Sequence, residues 1–247
     1  MGNILNKLNR IGANDKSIRQ TKQYDKIDAF FTLILYVIML TLFTLLGKLL
    51  LQNNFYKNAF LVFFVTGIFS LILVGLVFLL CFIRKQKLYT IGFTKINILK
   101  SLSFGLIISL VFIIIYILPS ISSGSKILVQ TNTLLIIINI IYNLIFIALP
   151  EEIVYRGYFA SRLSGFIKNK TLSIFLVGIM FSLSHIPFHM ILAEMDLLNY
   201  ITANIDHLIT YIIIHFIFQW MYSKYNNIIA PVILHFIWDF IGWFIIK

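Results

Sequence analysis

Residues 127–150, ILVQTNTLLIIINIIYNLIFIALP, run for 24 positions without a charge and are followed at once by EEIVYRGY at 151–158. A run of that length crosses roughly 30 Å of hydrocarbon as a helix, which makes a membrane the natural solvent for it. Working outward, comparable uncharged runs occupy 29–47, 59–83, 101–125 and 171–193. Two less clean runs follow, 207–223 and 225–246, the second interrupted only by Asp239. The chain of 247 residues is 60% hydrophobic and 12% charged, with mean hydropathy +0.95, far from the balance of a soluble domain. The expected fold is all-α: a polytopic membrane bundle of about seven transmembrane helices.

The charges set an expected orientation. Of the 20 Lys and Arg, six precede Asp28, five lie at 84–100 and four at 156–170. The alternate connections carry Lys57 and Lys126 alone, and Glu194, Asp196 and Asp206 make another acidic. By the positive-inside rule the basic segments and the N-terminus face the cytoplasm and, with seven crossings, the C-terminus lies outside. The net charge of +11 follows from this flanking pattern and calls for no nucleic-acid partner. The first run is longer than a signal-peptide core and lacks a small-residue cleavage site after it, so it is expected to remain as a helix. Cys81, the single cysteine, excludes internal disulfides and cysteine-cluster metal sites and reads as packing.

No repeat or soluble domain interrupts the chain. It divides into a basic N-terminal tail, 1–28, and a membrane domain, 29–247. The first three runs hold nothing ionisable except Lys48 and read as structural, with Gly67, Gly75 and Gly105 suited to close helix packing. Trp220, Tyr222 and Trp243 read as an aromatic belt, and His207 and His215 as interface and packing residues.

Ionisable groups gather in the second half. Each costs about 2.5–3.5 kcal/mol at mid-membrane on insertion scales, so several kept together point to chemistry unless they pair or reach the interface. Adjacent on a helix, Glu151 and Glu152 point about 100° apart and should divide labour. Glu152 and Arg156 have the favourable i, i+4 order for a pair, leaving Glu151 to face the bundle interior. Pro150 removes a backbone donor just before them and is expected to kink the helix or start a new one. Without chemistry, the same residues would mark the cytoplasmic end of the fourth span, with Arg162, Lys168 and Lys170 at the interface. His185 lies about 22 Å along a helix from Lys170, deep in the hydrocarbon, where a packing role is the plain alternative. Pro187 is expected to spoil any two-His metal face with His189. His235 and Asp239 stack on one helical face, where a carboxylate can orient the imidazole.

In order, Glu151-Glu152-x-x-x-Arg156, Phe181-x-x-x-His185 and His235-x-x-x-Asp239, with Tyr155, Gly157 and Pro231 as context, resemble the CPBP family, named for CAAX proteases and bacteriocin-processing enzymes. The resemblance covers roughly 143–243, within a catalytic region of about 131–247. The first 125 residues share only hydrophobic helices with that family. The resemblance implies an intramembrane endopeptidase in which Glu151 activates water, His185 assists, and His235 with Asp239 binds a metal or stabilises the oxyanion. Glu152 and Arg156 would hold the shape of the site. Family members usually end the third motif in Asn. An ionised Asp239 cannot donate to an oxyanion, though a protonated one can. The other solution is a metal, zinc being suited to ligation by Glu151, His185, His235 and Asp239.

The implied substrate is a peptide or membrane protein within the lipid bilayer of the cell membrane, with bacteriocin self-immunity or peptide maturation as the family setting. Two other readings use the same residues differently: lipoprotein or lipid modification, and a non-catalytic immunity or scaffold protein. Clustering of the polar groups disfavours a channel or transporter.

Overall fold

The computed structural model describes residues 24–122, 126–127, 132–242 and 245–246. Helix α1, Lys26–Gln52, begins at Asp25, whose carboxylate accepts from Asp28 N while Asp28 reciprocates at Asp25 N, a capping box. The helix therefore starts inside the segment expected to be tail. The rest of that tail, 1–23, lies outside the described residues. Asn58 caps α2, Ala59–Ile83, by accepting from Phe60 N and Leu61 N. α3 spans Ile98–Ser122. α4 runs Thr133–Gly165, α5 Lys170–Leu192, α6 Leu197–Ala203, α7 Ile205–Tyr225 and α8 Ile229–Gly242. Lys126–Ile127 and Ile245–Ile246 pair antiparallel, joining the chain beyond α3 to the chain beyond α8.

Five of these helices are long and apolar enough to cross a membrane, or six if α6 and α7, bent by 70°, make one span. Among the described residues the expected count of seven is not confirmed, since α8 has 14 described residues, about 21 Å at the α-helical rise. It is shortened at its start because Asn226 adopts a left-handed φ of 50° that ends α7, and Asn227 donates to Thr94 O and Ile96 O. Large apolar side chains on the outer faces, such as Val37, Phe60, Phe82 and Ile107, are exposed, as lipid contact requires.

The fourth run departs most from expectation. It does not stop at Pro150 but continues through both glutamates to Gly165. A proline inside an α-helix ordinarily costs about 3 kcal/mol or more through its missing N–H and its clash with the preceding turn. Here the helix is widened to π geometry over Tyr142–Ala148 and again over Ile153–Phe159, and Leu149 N–H reaches back to Leu144 O. The wider turn is where the ring is accommodated. Likewise, Pro187 lies within a continuous α5, so His185 and His189 keep parallel rings 6.1 Å apart rather than being thrown out of register.

One end of the bundle is tied shut by polar side chains. Arg162, expected at the interface, is fully buried. Its guanidinium donates to Gln86 Oε1 (2.9 Å), Thr90 Oγ1 (2.7 Å) and the carbonyls of Thr90 and Gly157, and lies over the rings of Tyr24 and Tyr158. Gln86 and Arg84 each donate to Asp28 Oδ1 at 2.8 Å, and Arg84 pairs with Asp25 at 2.8 Å. These bonds join the start of α1, the α2–α3 turn and the end of α4. Gly157 packs where an added Cβ would lie 2.7 Å from Ile91 O, and Gly92, at φ 93°, leaves room for Tyr222. Tyr222 is thus buried in the bundle rather than part of a belt. Trp243 lies outside the described residues. Gly67 and Gly105 sit at close helix contacts as expected, against Phe146 and Ala230, whereas Gly75 faces open space. Cys81 is buried in the core beside Val77 and Tyr158, as packing requires.

Candidate active site

The four-residue α-helical turn Leu149–Glu152, between the two π-helical stretches, sends its glutamates in different directions. Glu152 is completely buried, and its Oε1 lies 3.0 Å from Arg156 Nη1 across one helical turn. Arg156 is equally buried, with its guanidinium 4.5 Å from the centre of the Phe181 ring and 4.8 Å from that of Phe218. None of its nitrogens is aligned on a hydrogen-bond acceptor, so charge and the two aromatic faces hold it. A buried charge of this kind tolerates loss of its partner badly, at about 3–5 kcal/mol.

The same Glu152 Oε1 accepts from His235 Nδ1 at 2.8 Å. That bond places the Nδ1 proton and turns Nε2 toward Asp239 Oδ2 (3.5 Å) and Glu151 Oε2 (3.7 Å). Asp239, expected to orient the imidazole from its own helix, stands beyond hydrogen-bond distance, and Glu152 from α4 does that work instead. The two carboxylates meet opposite edges of the ring: Glu152 accepts at Nδ1, and Asp239 stands at Nε2. Phe218 stacks on the other side of the His235 ring at 5.0 Å. Glu151 Oε2 has no hydrogen-bond partner and is free to accept from a bound water or substrate.

His185 approaches from α5. Its Nδ1 lies 2.7 Å from Phe181 O, and since a carbonyl can only accept, the proton sits on Nδ1 and Nε2 is the free acceptor. Its ring stacks on Tyr211 at 4.2 Å. Tyr155, one turn after Glu151, donates to Ser184 Oγ. Glu151, His185, His235 and Asp239 all line one cavity of about 520 Å³. Its walls include Met39, Phe43 and Leu46 of α1 and Thr66, Ser70 and Leu73 of α2. The first two spans, expected to be purely structural, therefore help to build the site, and no described side chain of α3 lines it. Tyr155 and Tyr211 are cavity residues that reasoning from charge missed. The i, i+4 spacing of Tyr155 from Glu151 was the available signal, whereas nothing in the sequence marks Tyr211.

Among the described residues no three His, Cys, Asp or Glu side chains are grouped closely enough to hold a metal ion as they stand. His185 donates Nδ1–H to the Phe181 carbonyl and His235 donates Nδ1–H to Glu152, which leaves Nε2 of each ring open, the disposition of histidines whose second nitrogen is held by an acceptor. His215, by contrast, is buried against Gly178, as a packing residue would be.

Residues 132–241 match the family of type II CAAX prenyl endopeptidase Rce1-like proteins. The chain is also 31% identical over 91 residues to the UPF0177 protein YxdF of Lactococcus lactis subsp. lactis. That alignment covers 37% of this chain and 40% of the relative. No solved structure matches. The resemblance read from the three motifs thus holds over the segment that carries them: residues 132–241 are similar to CAAX protease-like proteins, in a chain that is a multi-pass membrane protein.

Proposed function

We propose that this CAAX protease-like protein is an intramembrane endopeptidase that hydrolyses a peptide bond of a peptide or membrane-protein substrate drawn into the cavity. The observation that carries the reading is the convergence on one cavity of Glu151 Oε2, which has no hydrogen-bond partner, and His235 Nε2, whose ring is held through Nδ1 by Glu152. Peptide hydrolysis needs a water, a base to take its proton and a group to meet the developing charge on the carbonyl oxygen. Glu151 takes the proton as the water oxygen adds to the scissile carbonyl carbon. The oxyanion is met by a proton on His235 Nε2 or on Asp239. The C–N bond then breaks, and Glu151 returns its proton to the leaving amine. His185, with Nε2 free, orients the water or the substrate N–H. Glu152 and Arg156 touch neither and act as positioning residues, fixing the His235 ring through Nδ1.

The test is a fluorogenic peptide library, prenylated and unprenylated, offered to the purified protein in proteoliposomes made with H2(18)O. Cleavage with one labelled oxygen in the new carboxylate, lost in Glu151→Gln, is the expected result. Full biological activity of a Glu151→Gln, His185→Ala double variant would instead favour a non-catalytic immunity or scaffold role and end the hydrolase reading.

A further inference from the structure

The structure assigns Asn143 to substrate binding: its Oδ1 accepts a main-chain N–H of an extended peptide, about three or four residues from the bond that is cut. The assignment rests on the peptidase reading and says what this part of the cavity holds, a polypeptide main chain rather than a hydrocarbon chain.

Asn143 is 3% exposed and lies well inside an uncharged run, where a carboxamide is costly unless it is used. Its Nδ2 donates to Asn139 O at 2.9 Å and to Asn139 Oδ1, at the point where α4 passes from α-helical to π-helical geometry. A carbonyl only accepts, so the nitrogen is the atom turned back toward Asn139, and the oxygen is the polar atom that remains. Both bonds stay within α4, so the pair does not tie that helix to a neighbour, the common use of Asn between spans. Oδ1 receives no hydrogen bond from a described residue, and Asn143 lines the cavity that also holds Glu151, His185, His235 and Asp239. A buried acceptor without a donor is unfavourable, and a ligand N–H would satisfy it.

The wall beside it carries a second unused group. On α2, Thr66 and Ser70 lie one turn apart on the same face and both line the cavity. Thr66 Oγ1 is committed to Val62 O at 2.6 Å, whereas the Ser70 hydroxyl bonds to no described residue. α2 and α4 run side by side in the same direction, with Phe63 stacked on Tyr142 at 4.2 Å and Gly67 against Phe146. In that register Ser70 stands between the level of Asn143 and that of Glu151. An acceptor at Asn143 and a hydroxyl at Ser70 match the N–H and C=O groups that an extended main chain carries at every residue. An isoprenoid or acyl chain on the same wall would leave both unpaired.

Spacing sets the place of the contact in the substrate. Asn143 and Glu151 are eight positions apart on α4, about 12 Å at the α-helical rise. An extended peptide advances about 3.3 Å per residue, so the N–H at Asn143 belongs to a residue about three or four from the scissile bond.

A backbone ester scan of the best-cleaved library peptide, in proteoliposomes, tests this. Each analogue replaces one main-chain N–H by an ester oxygen, which removes a donor and adds no bulk. With wild type, kcat/KM is expected to fall about 10-fold for the ester at one position in that range, as when a buried acceptor loses its donor. Asn143→Leu, of similar volume, should lose about 10-fold with the all-amide peptide and be indifferent to that ester, while esters elsewhere affect both enzymes alike. A flat wild-type scan over those positions overturns the proposal without recourse to any variant, as does an Asn143→Leu enzyme that keeps the full ester penalty. Cleavage of no library peptide at all would sink the peptidase reading itself, and this assignment with it.

Discussion

At the scale of single residues, the two adjacent glutamates make the sharpest contrast. Glu151→Gln keeps the volume and loses the base, so cleavage per mole should fall at least about 100-fold at unchanged membrane abundance. Glu152→Gln leaves the buried Arg156 without its counter-charge, at about 3–5 kcal/mol, and abundance should fall first. Immunoblotting of membranes beside the peptide assay separates the two; equal activity of Glu151→Gln at matched protein would remove the base assignment. Asp239→Asn restores the commoner family residue. Because Glu152 already orients His235, Asp239 is not needed for that task, and a donor role toward the oxyanion is one an amide fills. Activity is therefore expected to survive. A drop of about 10-fold to 100-fold, as when a group supporting a metal ligand is lost, together with a fall in bound metal by elemental analysis, would reverse this assignment.

At the scale of elements, α4 shows how a helix carries a proline and two acids through a membrane. Its π-helical stretches flank Glu151 and Glu152, and the second of them holds Gly157 against the α2–α3 turn. Gly157→Ala would place a methyl 2.7 Å from a backbone oxygen, which cannot swing away as a side chain can. The expected result is destabilisation of about 1–3 kcal/mol, read as a lower thermal midpoint in detergent. An unchanged midpoint would mean that the turn around Ile91 yields freely.

For the molecule as a whole, the sealed end depends on Asp25, Asp28 and Arg84 tying α1 to α2. The Asp28 N–H and then the Arg84 guanidinium hold the Asp25 carboxyl below its usual range. A depressed folded pKa gives stability that is present above the ordinary carboxylate range and lost as pH falls through the folded value. Acidification below about pH 4 should therefore destabilise the wild type, and Arg84→Ala should flatten that acid slope. Identical slopes would show that this tie contributes nothing to folding. Orientation is tested independently: reporters fused after Lys26 and at Lys247 are expected on opposite sides. Reporters on one side would mean that the short α8 does not cross.

The sequence alone determined the membrane solvent, the helical class, the span limits of α2 and α5 to within a residue or so, and the pairing of Glu152 with Arg156. Each follows from hydrophobic length or from one helical turn, quantities written locally in the chain. Only the tertiary structure decided that Glu152, 83 positions away, orients His235, and that α1 and α2 wall the cavity. Contacts between helices distant in sequence depend on rotation about each helix axis, which periodicity in an almost uniformly apolar run does not specify. The passage of α4 through Pro150 and the shortening of α8 belong to the same class. In both, backbone hydrogen bonding and packing against neighbouring elements outweighed the local signal that composition supplies.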